Sequence, residues 1–139
     1  MKITFQINND ISELESLLDQ LQVLEKKWSL SRKTSAEINL VLDELITNII
    51  KHSNCSKKQP IDLTLTKTDK KLTIQLADSG LPFDPTVCKL PDTSLSLENR
   101  TCGGLGVLLI RQFSDCWHYK RLKDRNILTL QKICPKECG

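Results

Sequence analysis

Hydrophobic and polar residues alternate over residues 2–8, with Ile3, Phe5 and Ile7 on one side, which predicts a strand. Asn9-Asp10 then offers a helix N-cap. Ile11, Leu14, Leu17, Leu18, Leu21 and Leu24 recur at the spacing of one helix face, so a helix is expected over 11–27. After a break at 28–31, Ile38, Val41, Leu42, Leu45, Ile46 and Ile49 mark a second helix over 33–52. A polar loop follows at 54–60. Residues 61–66 and 72–76 alternate again as two strands, and 67–71 suits a hairpin turn between them. Residues 77–103 are turn-rich and only weakly periodic, with Gly80, Pro82, Pro85 and Pro91; a loop of that length in a compact domain is either disordered or functional. Residues 105–113 read as a short buried helix, and 116–122 and 127–133 as two more strands that turn at 123–126.

The expected order is thus β-α-α-β-β-loop-α-β-β. Tight hairpins join most of the strands, so the sheet should be largely antiparallel, and three helices are enough to cover one face of it. The fold class expected is α+β: a two-layer α/β sandwich with a mostly antiparallel mixed sheet and three helices on one face. The 139 residues carry no repeat and no linker composition, so a single domain over 1–139 is expected.

Composition changes this picture in one respect. Leu and Ile account for 23 and 12 residues, against 2 Ala and only six aromatics (3 Phe, 2 Trp, 1 Tyr), so the core must be aliphatic. A net charge of +3, with basic residues dispersed rather than banded, argues against direct nucleic-acid binding. No apolar run approaches the length of a membrane span, and no export signal precedes the first strand, so a cytoplasmic chain is expected. The six cysteines (55, 88, 102, 116, 134 and 138) form no Cys-x-x-Cys pair and are expected to be free and mostly buried thiols.

Three features bear chemistry. Glu44 and Asn48 stand at i and i+4 on the second helix, so they point the same way, with Glu37 and His52 extending that polar side. An Asn oxygen is a neutral ligand for a hard cation such as Mg²⁺, and a carboxylate one turn away can deprotonate a hydroxyl. A solvated helix face explains the same spacing. Next, Asp78-Ser79-Gly80-Leu81-Pro82-Phe83-Asp84-Pro85 follows directly on an apolar strand. A carboxylate there can accept from a ligand while the glycine lets backbone come close, although a simple Asx turn fits as well. Last, Gly103-Gly104-Leu105-Gly106 opens an apolar helix, where backbone amides face anions. A flexible hinge is the plainer reading, and no Gly-Lys-Ser/Thr follows to make a P-loop.

The order of the three, rather than any one of them, resembles the GHKL nucleotide-binding superfamily. The closer likeness is to its anti-sigma-factor serine/threonine-protein kinases of bacterial partner-switching systems. Leu42-Asp43-Glu44-Leu45-Ile46-Thr47-Asn48-Ile49-Ile50-Lys51-His52 resembles the N box of that branch, and residues 78–85 and 103–111 are similar to its two glycine boxes. The resemblance spans nearly the whole chain and implies the GHKL fold, ATP and Mg²⁺ as cofactors, and a role for each matching residue. Glu44 would be the catalytic base and Asn48 the Mg²⁺ ligand. Asp78 would accept from the adenine amino group, beside Gly80. Gly104, Leu105 and Gly106 would line the phosphates, Arg100 in a lid over 86–102 would meet the terminal phosphate, and Thr129 would support the adenine. Ser53 stands where the family often has Gly. The implied activity is ATP-dependent phosphorylation of an anti-sigma-factor antagonist, a small protein, with sequestration of a sigma factor and with a homodimer open to it. The alternative is an ATP-binding, partner-sequestering module without phosphate transfer; a stand-alone ATP hydrolase ranks below both.

Overall fold

The computed structural model describes residues 1–52, 60–82, 84 and 105–133. The chain forms β1 (Lys2–Ile7), α1 (Ile11–Lys27), α2 (Arg32–His52), β2 (Ile61–Lys67), β3 (Lys71–Asp78), α3 (Leu105–Phe113), β4 (Cys116–Leu122) and β5 (Arg125–Ile133). The helix ends follow local chemistry. The Asp10 carboxylate accepts from the Ser12 amide at 3.1 Å and caps α1, while Lys26 and Lys27 in its last turn oppose the helix dipole. Ser29, at φ 55°, turns the chain, and the Leu30 amide closes on the Glu25 carbonyl at 2.9 Å. The Ser31 hydroxyl then accepts from the Thr34 amide at 3.1 Å and caps α2.

The five strands lie in the order β1-β2-β3-β5-β4. All four pairings are antiparallel, so the sheet is wholly antiparallel among the described strands and lacks the parallel component of a mixed sheet. After β3 the chain passes through α3 to the far edge, lays down β4 there, and folds back as β5 against β3. Lys123 and Asp124 make the return at φ 50° and 62°. A type I′ hairpin turn needs that left-handed backbone at both central residues, and here no glycine supplies it. The turn is therefore shorter than the 123–126 expected, and β5 starts at Arg125 rather than Ile127.

Register assigns the two faces. Leu63, Leu76, Leu128 and Tyr119 form one row across the sheet, and Leu65, Ile74, Leu130 and Trp117 the next; these face the helices. Buried residues of all three helices join the same cluster: Leu17 and Leu21 from α1, Leu42 and Ile46 from α2, Ile110 and Phe113 from α3. Each such aliphatic side chain taken out of water contributes about 1.5–3 kcal/mol. The other face of the sheet is polar, with Thr4, Thr64, Thr66, Thr73, Gln75 and Thr129, and the Thr4 and Thr64 hydroxyls meet at 3.3 Å. Among the described residues no helix is long and apolar enough to cross a membrane.

Candidate functional site

At one end of the helix-facing side the apolar rows give way to polar ones. Asp78, the last residue of β3, pairs with Asn126 of β5, which pairs in turn with Arg121 of β4. Asp78 and Asn126 are 8% and 7% exposed, so their polar atoms need partners. Asp78 Oδ2 accepts from the Gly80 amide at 2.9 Å and from Asn126 Nδ2 at 3.2 Å. Asn126 Nδ2 donates also to the Leu81 carbonyl at 2.9 Å. Asn126 Oδ1 accepts from the Tyr119 hydroxyl at 2.5 Å and from Arg121 Nη1 at 3.2 Å. Two donors on one side and two acceptors on the other fix the orientation of this amide. Asp78 Oδ1 receives no hydrogen bond from the described residues. A carboxylate held through one oxygen, with the second open, is an acceptor ready for a ligand N–H.

The second constellation lies on α2. Val41, Leu42, Leu45 and Ile46 are buried, Glu44 and Asn48 are half-buried, and Asp43 is exposed, where it accepts from the Thr47 hydroxyl at 3.4 Å. Glu37, Val41, Glu44 and Asn48 continue one row along the helix. The first two line a cleft with Leu109, Phe113 and Lys132, so this part of the row faces α3 and β5. Glu37 itself is engaged, its Oε2 lying 3.7 Å from Lys132 Nζ. Glu44 and Asn48 stand about 10 and 16 Å further along α2. β5 likewise leads from Lys132 away to Asn126, so helix and strand both carry their polar groups away from the Lys132 end.

This order of elements matches known proteins. A family model described as a histidine kinase-like ATPase domain fits residues 7–132. The chain belongs to this family. It is 32% identical over 108 residues to the serine/threonine-protein kinase BtrW of Bordetella bronchiseptica, covering 77% of this chain and 75% of that one. Three solved structures share the fold. The RsbU and RsbW domains of a Mycobacterium tuberculosis protein superpose with a TM-score of 0.68 at 12% identity, over 96% of this chain and 32% of that one. The present chain thus spans about a third of that solved chain. The SiaB–SiaC complex of Pseudomonas aeruginosa gives 0.64 at 15% identity, over 95% and 89% of the two chains. The catalytic domain of the histidine kinase ThkA gives 0.53 at 17% identity, over 96% and 97%.

Within this histidine kinase-like domain the remaining expected site residues fall into four groups. Asp78 and Gly80 are joined directly, as described. Leu105 and Gly106 open α3, which packs on α2. Arg100, Gly104 and the lid expected over 86–102 lie outside the described residues. Thr129 is not brought to Asp78. It stands three positions beyond Asn126 on β5, and strand alternation sends it to the opposite face, opposite Gln75 and His118. Asn126 occupies the place expected of it, and with Tyr119 and Arg121 it escaped the sequence reading. The available signal was an amide in phase with Leu128 and Leu130, since a polar group on a buried strand face needs partners. Cys116 also departs from expectation: it is free but exposed, because it starts an edge strand on the uncovered face. The remaining five cysteines lie outside the described residues.

The α2 donor set bears on a metal. Among the described residues no cluster of three or more His, Cys, Asp or Glu could hold an ion. Asn48 offers one neutral oxygen, with Glu44 one turn away. That set fits Mg²⁺ arriving with a nucleotide, since Mg²⁺ keeps several waters and takes one or two protein ligands besides phosphate oxygens.

Proposed function

We propose that this protein is an ATP-dependent serine/threonine-protein kinase whose substrate is a small anti-sigma-factor antagonist, and that it also sequesters a sigma factor. The observation that carries the nucleotide reading is the buried Asp78 carboxylate, with Oδ2 held and Oδ1 open among the described residues. Identity to a serine/threonine-protein kinase over 77% of the chain supports phosphate transfer as the outcome. That SiaB forms a complex with SiaC supports a protein as partner.

In this reading Asp78 Oδ1 accepts from the adenine amino group, and Gly80 allows the base to come close. Backbone amides of Gly104, Leu105 and Gly106 receive the phosphates at the start of α3, where the helix dipole favours negative charge. Asn48 would hold Mg²⁺, which would supply neutralisation of charge on the phosphates. Glu44 would take the proton from the accepting serine hydroxyl as that oxygen attacks the terminal phosphorus and the bond from that phosphorus to the bridging oxygen breaks, with ADP leaving, and Arg100 would meet the transferred phosphoryl group. Thr129 has no part in this assignment. Residues 1–139 act as a single domain in the cytoplasm, and the output of the site passes through the partner protein.

Radiolabel transfer from ATP to the cognate antagonist tests the proposal. Wild-type protein labels a serine, and Glu44→Ala slows transfer by roughly 10²–10⁴-fold while ATP still binds. Tight binding of partner and ATP without any transfer would sink the kinase reading and leave a nucleotide-responsive sequestering module in its place.

A further inference from the structure

One hairpin reaches Asp78 from both faces of the sheet. Arg121 and Arg125 flank the Lys123–Asp124 turn, and since Arg121 is paired with Asn126, the residue after Arg125, the two arginines project to opposite faces. On the helix side, Arg121 Nη1 donates to the Gly80 carbonyl at 2.6 Å and to Asn126 Oδ1 at 3.2 Å. On the outer side, Arg125 Nη2 donates to the Ala77 carbonyl at 3.1 Å and to the Pro60 carbonyl at 3.3 Å. Arg125 Nη1 meanwhile pairs with Asp62 Oδ2 at 2.8 Å, and Asp62 Oδ1 is held by Gln6 Nε2 at 2.9 Å.

The carbonyl just before Asp78 and the carbonyl two residues after it are therefore each gripped by a guanidinium from the same turn. Neither arginine spends these bonds on its own hairpin; both reach across to the end of β3. Among the described residues Asp78 is anchored by one oxygen only, so the place of the open oxygen depends on the peptide units around it. Charged donors on those carbonyls make the stronger kind of hydrogen bond, and the planar fork of arginine fixes direction as well as distance.

We propose that Arg121 and Arg125 are positioning residues for nucleotide binding: the β4–β5 hairpin clamps the backbone of residues 77–80 and so sets the open Asp78 oxygen against the base. The proposal rests on the assignment of Asp78 to the adenine amino group and names what controls that contact.

The test titrates the full chain with MgATP and with the magnesium salt of purine riboside triphosphate, which lacks the amino group. Wild-type protein prefers ATP by roughly tenfold or more, the worth of one hydrogen bond to a charged group. Arg121→Met and Arg125→Met each weaken ATP by about tenfold and move the preference toward one, while purine riboside triphosphate binds as before. Lys120→Gln, an exposed neighbour on β4, behaves as wild type. Unchanged ATP affinity in a folded variant overturns the proposal. So does an equal loss for both ligands with a lowered melting temperature, which is what a purely structural role gives. Should a methionine variant not fold, Arg121→Lys and Arg125→Lys keep the charge but lose the fork, and the same ratio decides. A wild-type preference of one overturns the Asp78 assignment itself and the clamp with it, and is told apart because it appears before any arginine is changed.

Discussion

Replacing Asp78 by Asn alters the smallest number of atoms in the site and gives a worked expectation. Two donors, the Gly80 amide at 2.9 Å and Asn126 Nδ2 at 3.2 Å, meet Oδ2. In the variant they hold the new amide with its oxygen in the Oδ2 position and its NH₂ where Oδ1 was. An acceptor is thereby exchanged for a donor facing the adenine amino group, and the negative charge is gone. Loss of one hydrogen bond to a charged group costs about 1.5–3 kcal/mol, or roughly 10- to 100-fold in affinity. The fold itself should barely respond, because both internal hydrogen bonds survive at a position 8% exposed. Isothermal titration with MgATP measures the first quantity and thermal unfolding the second. ATP affinity within twofold of wild type, in a variant that melts normally, would remove Asp78 from the site.

Other expectations concern the frame. Leu42 is 0% exposed in the middle of the core, so Leu42→Ala should lose about 2–5 kcal/mol in urea unfolding; a loss below about 1 kcal/mol would contradict the packing described. Glu25, 5% exposed between α1 and α2, has its carboxyl pushed above the usual range by burial, with the Ser35 hydroxyl partly offsetting this. The folded state then binds the proton more tightly than the unfolded one. Stability falls as pH rises from the unfolded value of 4.5 through the raised folded value, and the cost is fully present above both. Glu25→Gln should remove that pH dependence and raise the melting temperature at neutral pH; a variant with the wild-type pH profile would refute the assignment.

Much of the frame was legible because each element announces its own period. Leu14, Leu17, Leu21 and Leu24 can only be gathered on one side by a helix, and Leu63 and Leu65 by a strand, which is why helix and strand limits agree to within a residue or two. The turn after β4 misled for a local reason: Lys123 and Asp124 take left-handed backbone without glycine, so Asn126 read as a turn residue and is in fact inside the sheet. Asp78 and Gly80 were legible as a pair because a single residue separates them. Their supports were not, since Tyr119, Arg121 and Asn126 stand more than forty positions beyond Asp78, joined to the pair only by the placing of β5 between β3 and β4. Glu37 was read as one of a polar row, and its partner Lys132 comes from the other end of the chain. Pairing across such distances is a property of sheet order, which alternation along one strand does not encode.

The scarcity of aromatics leaves the chain with two tryptophans in very different places. Trp28 ends α1, 6% exposed, with its amide on the Leu24 carbonyl. Trp117 lies on β4 with the Arg111 guanidinium of α3 5.5 Å from the centre of its ring. The protein therefore carries two built-in optical probes: the emission of Trp28 follows global unfolding, and that of Trp117 follows the seating of α3 on the edge strand. Single Trp→Phe variants separate the two signals, so that a ligand drawn to the start of α3 can be seen without any label.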